Sequence, residues 1–364
     1  MQKSSRKVLV VLVGLLVLGF VVYRSSGMIH LADFSGAKLL HAIRNANPFL
    51  LILSIVAIYA CYALRSLRWR IFQRNLGPSR FGPIYAMTLA GFAAIFLLGR
   101  AGEPVRPLLL ARKEKLPIAD VFGIYTLERL FDLASAAVIA AVGLLLFQSR
   151  GHIGETAGKL ETAAKTTGSL LFAGVAGAVA FLLYLRLHGS ALLERRLQGW
   201  RIAHGWHGTI ARILLGFVRG VQTIQTASDL VLAVFLSAVH WFLVLLVYEW
   251  VLHAFGGKLG TLSLGDAMLV MTFTLVGSAV QVPGIGGGSQ AGSIVALTAI
   301  FGVEMESAVA AAVVVWLITF AACSLAGVPL LIHEGLSLGK LRELAEHEKE
   351  AAIESAAQQG DSAQ

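Results

Sequence analysis

Gly99-Arg100-Ala101-Gly102-Glu103-Pro104-Val105-Arg106-Pro107 and Gln281-Val282-Pro283-Gly284-Ile285-Gly286-Gly287-Gly288-Ser289-Gln290 each interrupt a long apolar run. Glycine loosens the backbone and proline removes a donor, so neither stretch carries an unbroken helix. In hydrocarbon, unpaired peptide groups are costly, and broken backbone at membrane depth is confined to places walled by protein or water. A pair of such breaks, one in each half of a membrane chain, points to a transport site.

The runs around the two breaks fit a membrane chain. Of the 364 residues 57% are hydrophobic and only 14% charged, with a mean hydropathy of +0.75; a soluble domain carries about 25% charged residues. The expectation is an all-α, polytopic helical bundle over residues 1–333, followed by a cytoplasmic tail at 334–364 that is helical at first and then disordered. The apolar run 8–23, behind Lys3, Arg6 and Lys7, has the outline of a secretory signal without a small-x-small cleavage site before Arg24, and reads as an uncleaved first span. Further full spans are expected at 48–64, 118–147, 168–185, 229–254 and 309–333.

The pieces 83–98 with 105–111, and 265–280 with 289–301, are each thin for a span. Pairing them across the breaks gives two re-entrant helical hairpins beside about six full spans. The first hairpin enters from the cytoplasm and the second from outside, an inverted arrangement whose tips are expected near the midplane. The alternative is that all four pieces are ordinary spans, ten in total.

Net charge is +9, which raises nucleic acid as a partner, but the basic residues sort by side of the membrane. With the N-terminus inside, Arg65, Arg68, Arg70, Arg74 and Arg80 fall in one cytoplasmic loop and Arg186 to Arg219 in another. Twenty basic residues then lie inside against seven outside, as the positive-inside rule requires. No nucleic-acid module accompanies them. The long connection 186–228 mixes Trp200, Trp206, His204 and His207 with arginines, which suits an interfacial helix. Cys61 and Cys323 lie in apolar runs and read as inert thiols.

Chemistry concentrates at three places. In the first break Arg100, Glu103 and Arg106 recur every third residue, so a helical turn would stack them, with the prolines limiting how much is helical. Two arginines around one carboxylate leave net positive charge suited to a phosphate, although Glu103 could instead only neutralise them at a hairpin tip. On the next span, Glu128 and Asp132 share a face and Arg129 reaches Asp132 at three residues. Glu128 lies ten residues past Ile118, about 15 Å of helix rise. This group can pair with the hairpin arginines, contact substrate, or do both. The second break is uncharged. Pro283, Gly284, Gly286 and Gly287 expose amides that could cradle an anion, with Ser289 and Gln290 opening the following helix; close helix packing is the plainer role. His240, Glu249 and Trp316 are weaker candidates on apolar spans. No Ser/His/Asp set, His/Cys metal spacing or phosphate-cradling loop is present in the sequence, so no cofactor is expected.

Tyr62-Ala-Leu-Arg-Ser-Leu-Arg-Trp-Arg70, Gly99-Arg-Ala-Gly-Glu-Pro-Val-Arg106 with Leu109-Leu-Ala-Arg112, Glu128-Arg-Leu-Phe-Asp132 and the Pro283-Gly segment occur in that order. Together they resemble the flippase-like transmembrane region of lysylphosphatidylglycerol synthases, over about Pro48 to Leu331. The resemblance implies a bacterial inner-membrane protein that moves lipid between leaflets; the charge bias places both termini in the cytoplasm, and without an evident nucleophile and base no enzyme is expected. Candidate cargoes are aminoacylated phosphatidylglycerol, polyprenyl-phosphate-linked lipids, glycolipids and hopanoid-type lipids. Arg100 and Arg106 would bind the headgroup phosphate, Glu103 would tune them, and Glu128, Arg129 and Asp132 would support or gate. The expected partners are an anionic phospholipid or polyprenyl-phosphate-linked lipid, and a lipid-synthesis enzyme or a second copy of the chain. Gln290 stands where an acidic residue is expected and Ser289 where a larger or basic one is common. Synthase activity is not expected to carry over. Two other classes stay open: a membrane enzyme acting on a lipid phosphate, and a non-transporting scaffold for envelope synthesis.

Overall fold

The computed structural model describes residues 36–77, 79–148, 173, 177, 226–278, 281–282 and 286–334. The expected span at 8–23, that at 168–185 apart from residues 173 and 177, the interfacial connection up to residue 225 and nearly all of the tail lie outside the described residues. What is described is helical apart from one two-residue β pair. In chain order the elements are α1 (Gly36–Asn45), α2 (Pro48–Gln73), α3 (Phe81–Leu98), a 3-10 turn (Gly99–Gly102), α4 (Val105–Glu114) and α5 (Ile118–Gln148). Beyond residue 225 come α6 (Ala227–Ala254), α7 (Leu264–Gly277), β1 (Gln281–Val282), β2 (Gly286–Gly287) and α8 (Gly288–Val295). Last are α9 (Met305–Trp316) and α10 (Ala322–His333). One π turn, Ala296–Ile300, extends α8, and another, Leu317–Ala321, joins α9 to α10.

Among the described residues, four helical segments are long and apolar enough to cross a membrane: Pro48–Gln73, Phe81–Leu98, Ala227–Ala254 and Met305–His333. Leu264–Gly277 and Gly288–Ile300 are shorter apolar helices. The first break interrupts helix where its glycines and prolines stand, and at the second α7 ends at Gly277 and α8 starts at Gly288. At the first, Gly99 takes φ 64°, a left-handed value that ends α3, and α4 restarts behind Pro104. Pro107 sits in the first turn of α4, where its missing N–H removes no intrahelical bond.

One expectation is corrected. The span predicted to end at Leu64 continues as helix to Gln73, so Arg65, Arg68 and Arg70 are helical rather than in a cytoplasmic loop. Arg65 and Arg68 are also buried. Apolar counting stopped at the first arginine, whereas acidic partners on α5 let the helix carry its charges inward. The excess of basic residues on the assigned inner side survives their removal.

The described residues divide into two compact units, within Met1–Ile58, Val142–Lys165 and Val244–Thr319 for the first, and Tyr59–Ala141, Thr166–Leu243 and Phe320–Gln364 for the second. In the first unit the second break closes a helical hairpin. Gln281 pairs with Gly287 and Val282 with Gly286, antiparallel, and α7 lies along α8. A Cβ at Gly277 would overlap the Gly288 carbonyl, and one at Gly292 the Phe273 carbonyl, so small residues set this approach. The hydroxyls of Thr274 and Ser293 meet across the pair at 2.6 Å. Ser263 and Asp266 form a reciprocal capping box at the start of α7, and α1 packs against α9.

The second unit holds the first hairpin. α4 folds back on α3, where a Cβ at Gly91 would overlap the Arg106 Cβ and one at Gly102 the Ala94 carbonyl. On its other side α3 packs along α10, with Gly327 against the Leu89 carbonyl. The core runs through Trp69, Phe72, Met87, Leu110, Ile124 and Leu127.

Candidate functional site

Within the second unit, α2 and α5 face each other with complementary spacing. Arg65 and Arg68 are one helical turn apart on α2, and Glu128 and Asp132 one turn apart on α5. Arg65 Nε donates to Glu128 Oε1 at 3.2 Å, and its Nη2 pairs with Asp132 Oδ2. Arg68 Nη2 reaches Asp132 Oδ1 at 2.8 Å and Glu128 Oε1 at 3.4 Å. Its Nη1 donates to Ser237 Oγ on α6 at 2.8 Å. From the hairpin, Arg106 Nη1 donates to Glu128 Oε2 at 2.7 Å. One carboxylate thus accepts from three guanidinium groups, and Glu128, Arg68 and Arg106 are each only 1% exposed.

Aromatic rings complete the surround. The Arg106 guanidinium carbon lies 4.4 Å from the Trp69 ring centroid and 5.9 Å from that of Phe92. Arg65 stands over Phe92 at 5.0 Å and Arg68 over Phe131 at 5.9 Å. Such faces attract a cation more strongly once it is desolvated. Trp69 is fixed by its own Nε1–H, which donates to Gln73 Oε1 at 2.9 Å.

The residues singled out in the sequence are placed as follows. Arg106, Glu128 and Asp132 come together in one network, and Arg129 joins its edge with Nη2 at 3.9 Å from Asp132 Oδ2. Glu103 accepts from the Tyr125 hydroxyl at 2.9 Å, and the Tyr125 ring lies 5.1 Å from the Arg129 guanidinium carbon. Arg100 has its backbone in the 3-10 turn, and its side chain lies outside the described residues. Pro283 and Gly284 also lie outside them. Gly286 and Gly287 form β2, and Ser289 and Gln290 open α8 in the other unit. Gly287, at φ 104°, needs the freedom of glycine, and its N–H donates to Gln290 Oε1. One amide proposed for an anion cradle is therefore already capped, and Gln290, an anomaly by resemblance, has a structural task.

Sequence reasoning passed over Arg65, Arg68, Trp69 and Ser237 as site residues. The usable signal was the match of spacings, two arginines at i and i+3 on one apolar helix against two acids at i and i+4 on another.

Formal charge does not close among the described side chains. Arg65, Arg68, Arg106 and Arg129 face Glu128 and Asp132, and counting Glu103 through Tyr125 still leaves one positive charge in excess. Arg106 Nε, Arg106 Nη2, Arg68 Nε and Arg129 Nε are buried without a hydrogen-bond partner among the described residues. Buried donors without acceptors are uncommon and expensive.

The profile of the family described as the lysylphosphatidylglycerol synthase TM region matches residues 8–327. A UPF0104 membrane protein of Methanothermobacter thermautotrophicus is 24% identical over 320 residues, which is 82% of this chain and 89% of that protein. The glycosyltransferase AglD of Haloferax volcanii is 25% identical over 174 residues, 44% of this chain and 28% of that protein. No solved structure matches the chain. With the family match spanning most of the sequence, this multi-pass membrane protein belongs to the lysylphosphatidylglycerol synthase TM-region family.

Proposed function

We propose that this protein carries a phosphate-bearing lipid, or a lipid-linked precursor, between the leaflets of the inner membrane. The observation that carries this reading is the buried excess of guanidinium groups at the foot of the first hairpin. A cluster left one charge positive in an apolar surround is costly by itself and is relieved by an anion. Lipid phosphate is the anion a membrane supplies at that position. In this reading Arg106 receives the phosphate. Glu128 and Asp132 hold Arg65 and Arg68 as a fixed frame, and Arg129 completes the edge. The acyl chains stay in lipid, so no aqueous pore is required. The proposed topology has six full spans, two re-entrant hairpins entering from opposite faces, and both termini in the cytoplasm.

Proteoliposomes of the pure protein test it. Wild type should move a labelled anionic phospholipid between leaflets faster than empty vesicles do, and Arg106→Ala should be at least tenfold slower, while exposed Arg80→Ala matches wild type. No acceleration with any anionic lipid, with or without a proton gradient, would leave the scaffold reading. Chemical turnover of the labelled lipid by pure protein would favour a membrane enzyme, the possibility raised by the likeness to a protein named as a glycosyltransferase.

A further inference from the structure

Arg106 is held by one corner only. Nη1 is fixed by Glu128 at 2.7 Å, the guanidinium plane lies on Trp69, and the side chain is 1% exposed. The two donors left over, Nε and Nη2, are both buried and without partners among the described residues. These two N–H groups form one edge of the guanidinium, parallel and coplanar, with the spacing that matches two oxygens of a single oxyanion. Arg68 offers no such edge, because its Nη2 is committed to Asp132, and in Arg65 both Nε and Nη2 are committed. Of the three buried arginines Arg65, Arg68 and Arg106, only Arg106 keeps a whole fork without partners among the described residues.

We infer that the Nε–Nη2 edge of Arg106, enclosed in this structure, takes up one singly charged, two-oxygen phosphate diester when the packing around it opens. The inference deepens the lipid-phosphate reading above and rests on it for the ligand being a lipid. The fork itself rests on geometry alone. The charge of the ligand follows from the described cluster: among the described side chains four arginines against Glu128, Asp132 and Glu103 leave one positive charge, which a diester neutralises. A phosphate monoester, at roughly −1.5 to −2 near neutral pH, would overshoot and leave buried negative charge. A lysine at this position could keep the salt bridge to Glu128 but could not present two coplanar donors.

The test is equilibrium binding to the full chain in detergent, read by retained ligand in native mass spectrometry and by thermal stabilisation. The probes are dioctanoyl phosphatidylglycerol, dioctanoyl phosphatidic acid, neutral dioctanoylglycerol and inorganic phosphate. Wild type should hold the diester at least tenfold more tightly than the monoester or the neutral glyceride. This comparison needs no variant and stands even if substitutions at Arg106 prevent folding. Arg106→Lys should lose at least tenfold for the diester, with Arg80→Ala unchanged. Equal binding of the neutral glyceride, preference for the monoester, or an Arg106→Lys protein that folds and binds as wild type does would each overturn the inference, leaving the edge to a trapped water. Arg106-dependent binding of inorganic phosphate as tight as that of the diester would also overturn it as a lipid site and would weigh against the transport reading. Diester binding through the fork without transport would uphold the inference and remove only the flippase.

Discussion

Glu128 is the residue on which the second unit turns. Its two oxygens accept from Arg65, Arg68 and Arg106, which reach it from α2 and α4, so its charge organises side chains from three helices. Removing one member of a buried ionic group leaves the others uncompensated, at about 3–5 kcal/mol. Glu128→Gln keeps the shape and deletes the charge, and should lower unfolding free energy by about that amount in a chemical denaturation series. The half-exposed Lys113–Glu334 pair gives the contrast: Lys113→Ala should cost less than about 1 kcal/mol. Equal losses in the two variants would mean that the network does not hold the fold.

At the scale of elements, the hairpins are set by glycines that admit a neighbouring backbone. Gly91 and Gly102 fold α4 against α3, while Gly277 and Gly292 bring α7 to α8. Cysteines replacing Thr274 and Ser293, whose oxygens are 2.6 Å apart, should crosslink readily in a background lacking Cys61 and Cys323. Adding Gly292→Leu should abolish the crosslink, since its Cβ alone would overlap the Phe273 carbonyl. These breaks were legible in the sequence because Gly and Pro act locally, and the predicted pieces 83–98 and 105–111 became Phe81–Leu98 and Val105–Glu114. The reach of α2 past Arg65 was not legible, because burial of an arginine depends on acids some sixty residues later. The Glu128 and Asp132 pair was visible, and so was its pairing with a hairpin arginine, which Arg106 makes, yet nothing local named Arg65 or Arg68. Helix α1, short and of mixed polarity, carried no span signal.

Across the whole molecule, the proposed inverted topology makes a claim about sides. Single cysteines at Lys113 and Lys258, placed in the cysteine-free background, should label with an impermeant maleimide from the cytoplasm and from outside, respectively. Labelling of both from one face would remove the inverted hairpins and favour ordinary spans. Lys258 sits in the short connection before α7, where its Nζ donates to the Gly302 carbonyl at 3.0 Å, and Lys113 lies in the last turn of α4.

The arginine frame also bears on how the chain is made. Arg65 and Arg68 emerge from the ribosome about sixty residues before the acids that neutralise them. On insertion scales an arginine at a helix centre opposes partitioning by about 2.5–3.5 kcal/mol, and Arg65 and Arg68, in the last third of α2, oppose it by less. Helix α2, though apolar over most of its length, therefore has reason to linger at the insertion machinery until α5 arrives. Helices α2 to α5 would then be released into lipid as one package, and the order of synthesis, rather than hydropathy alone, would decide when the first of them becomes a settled membrane segment.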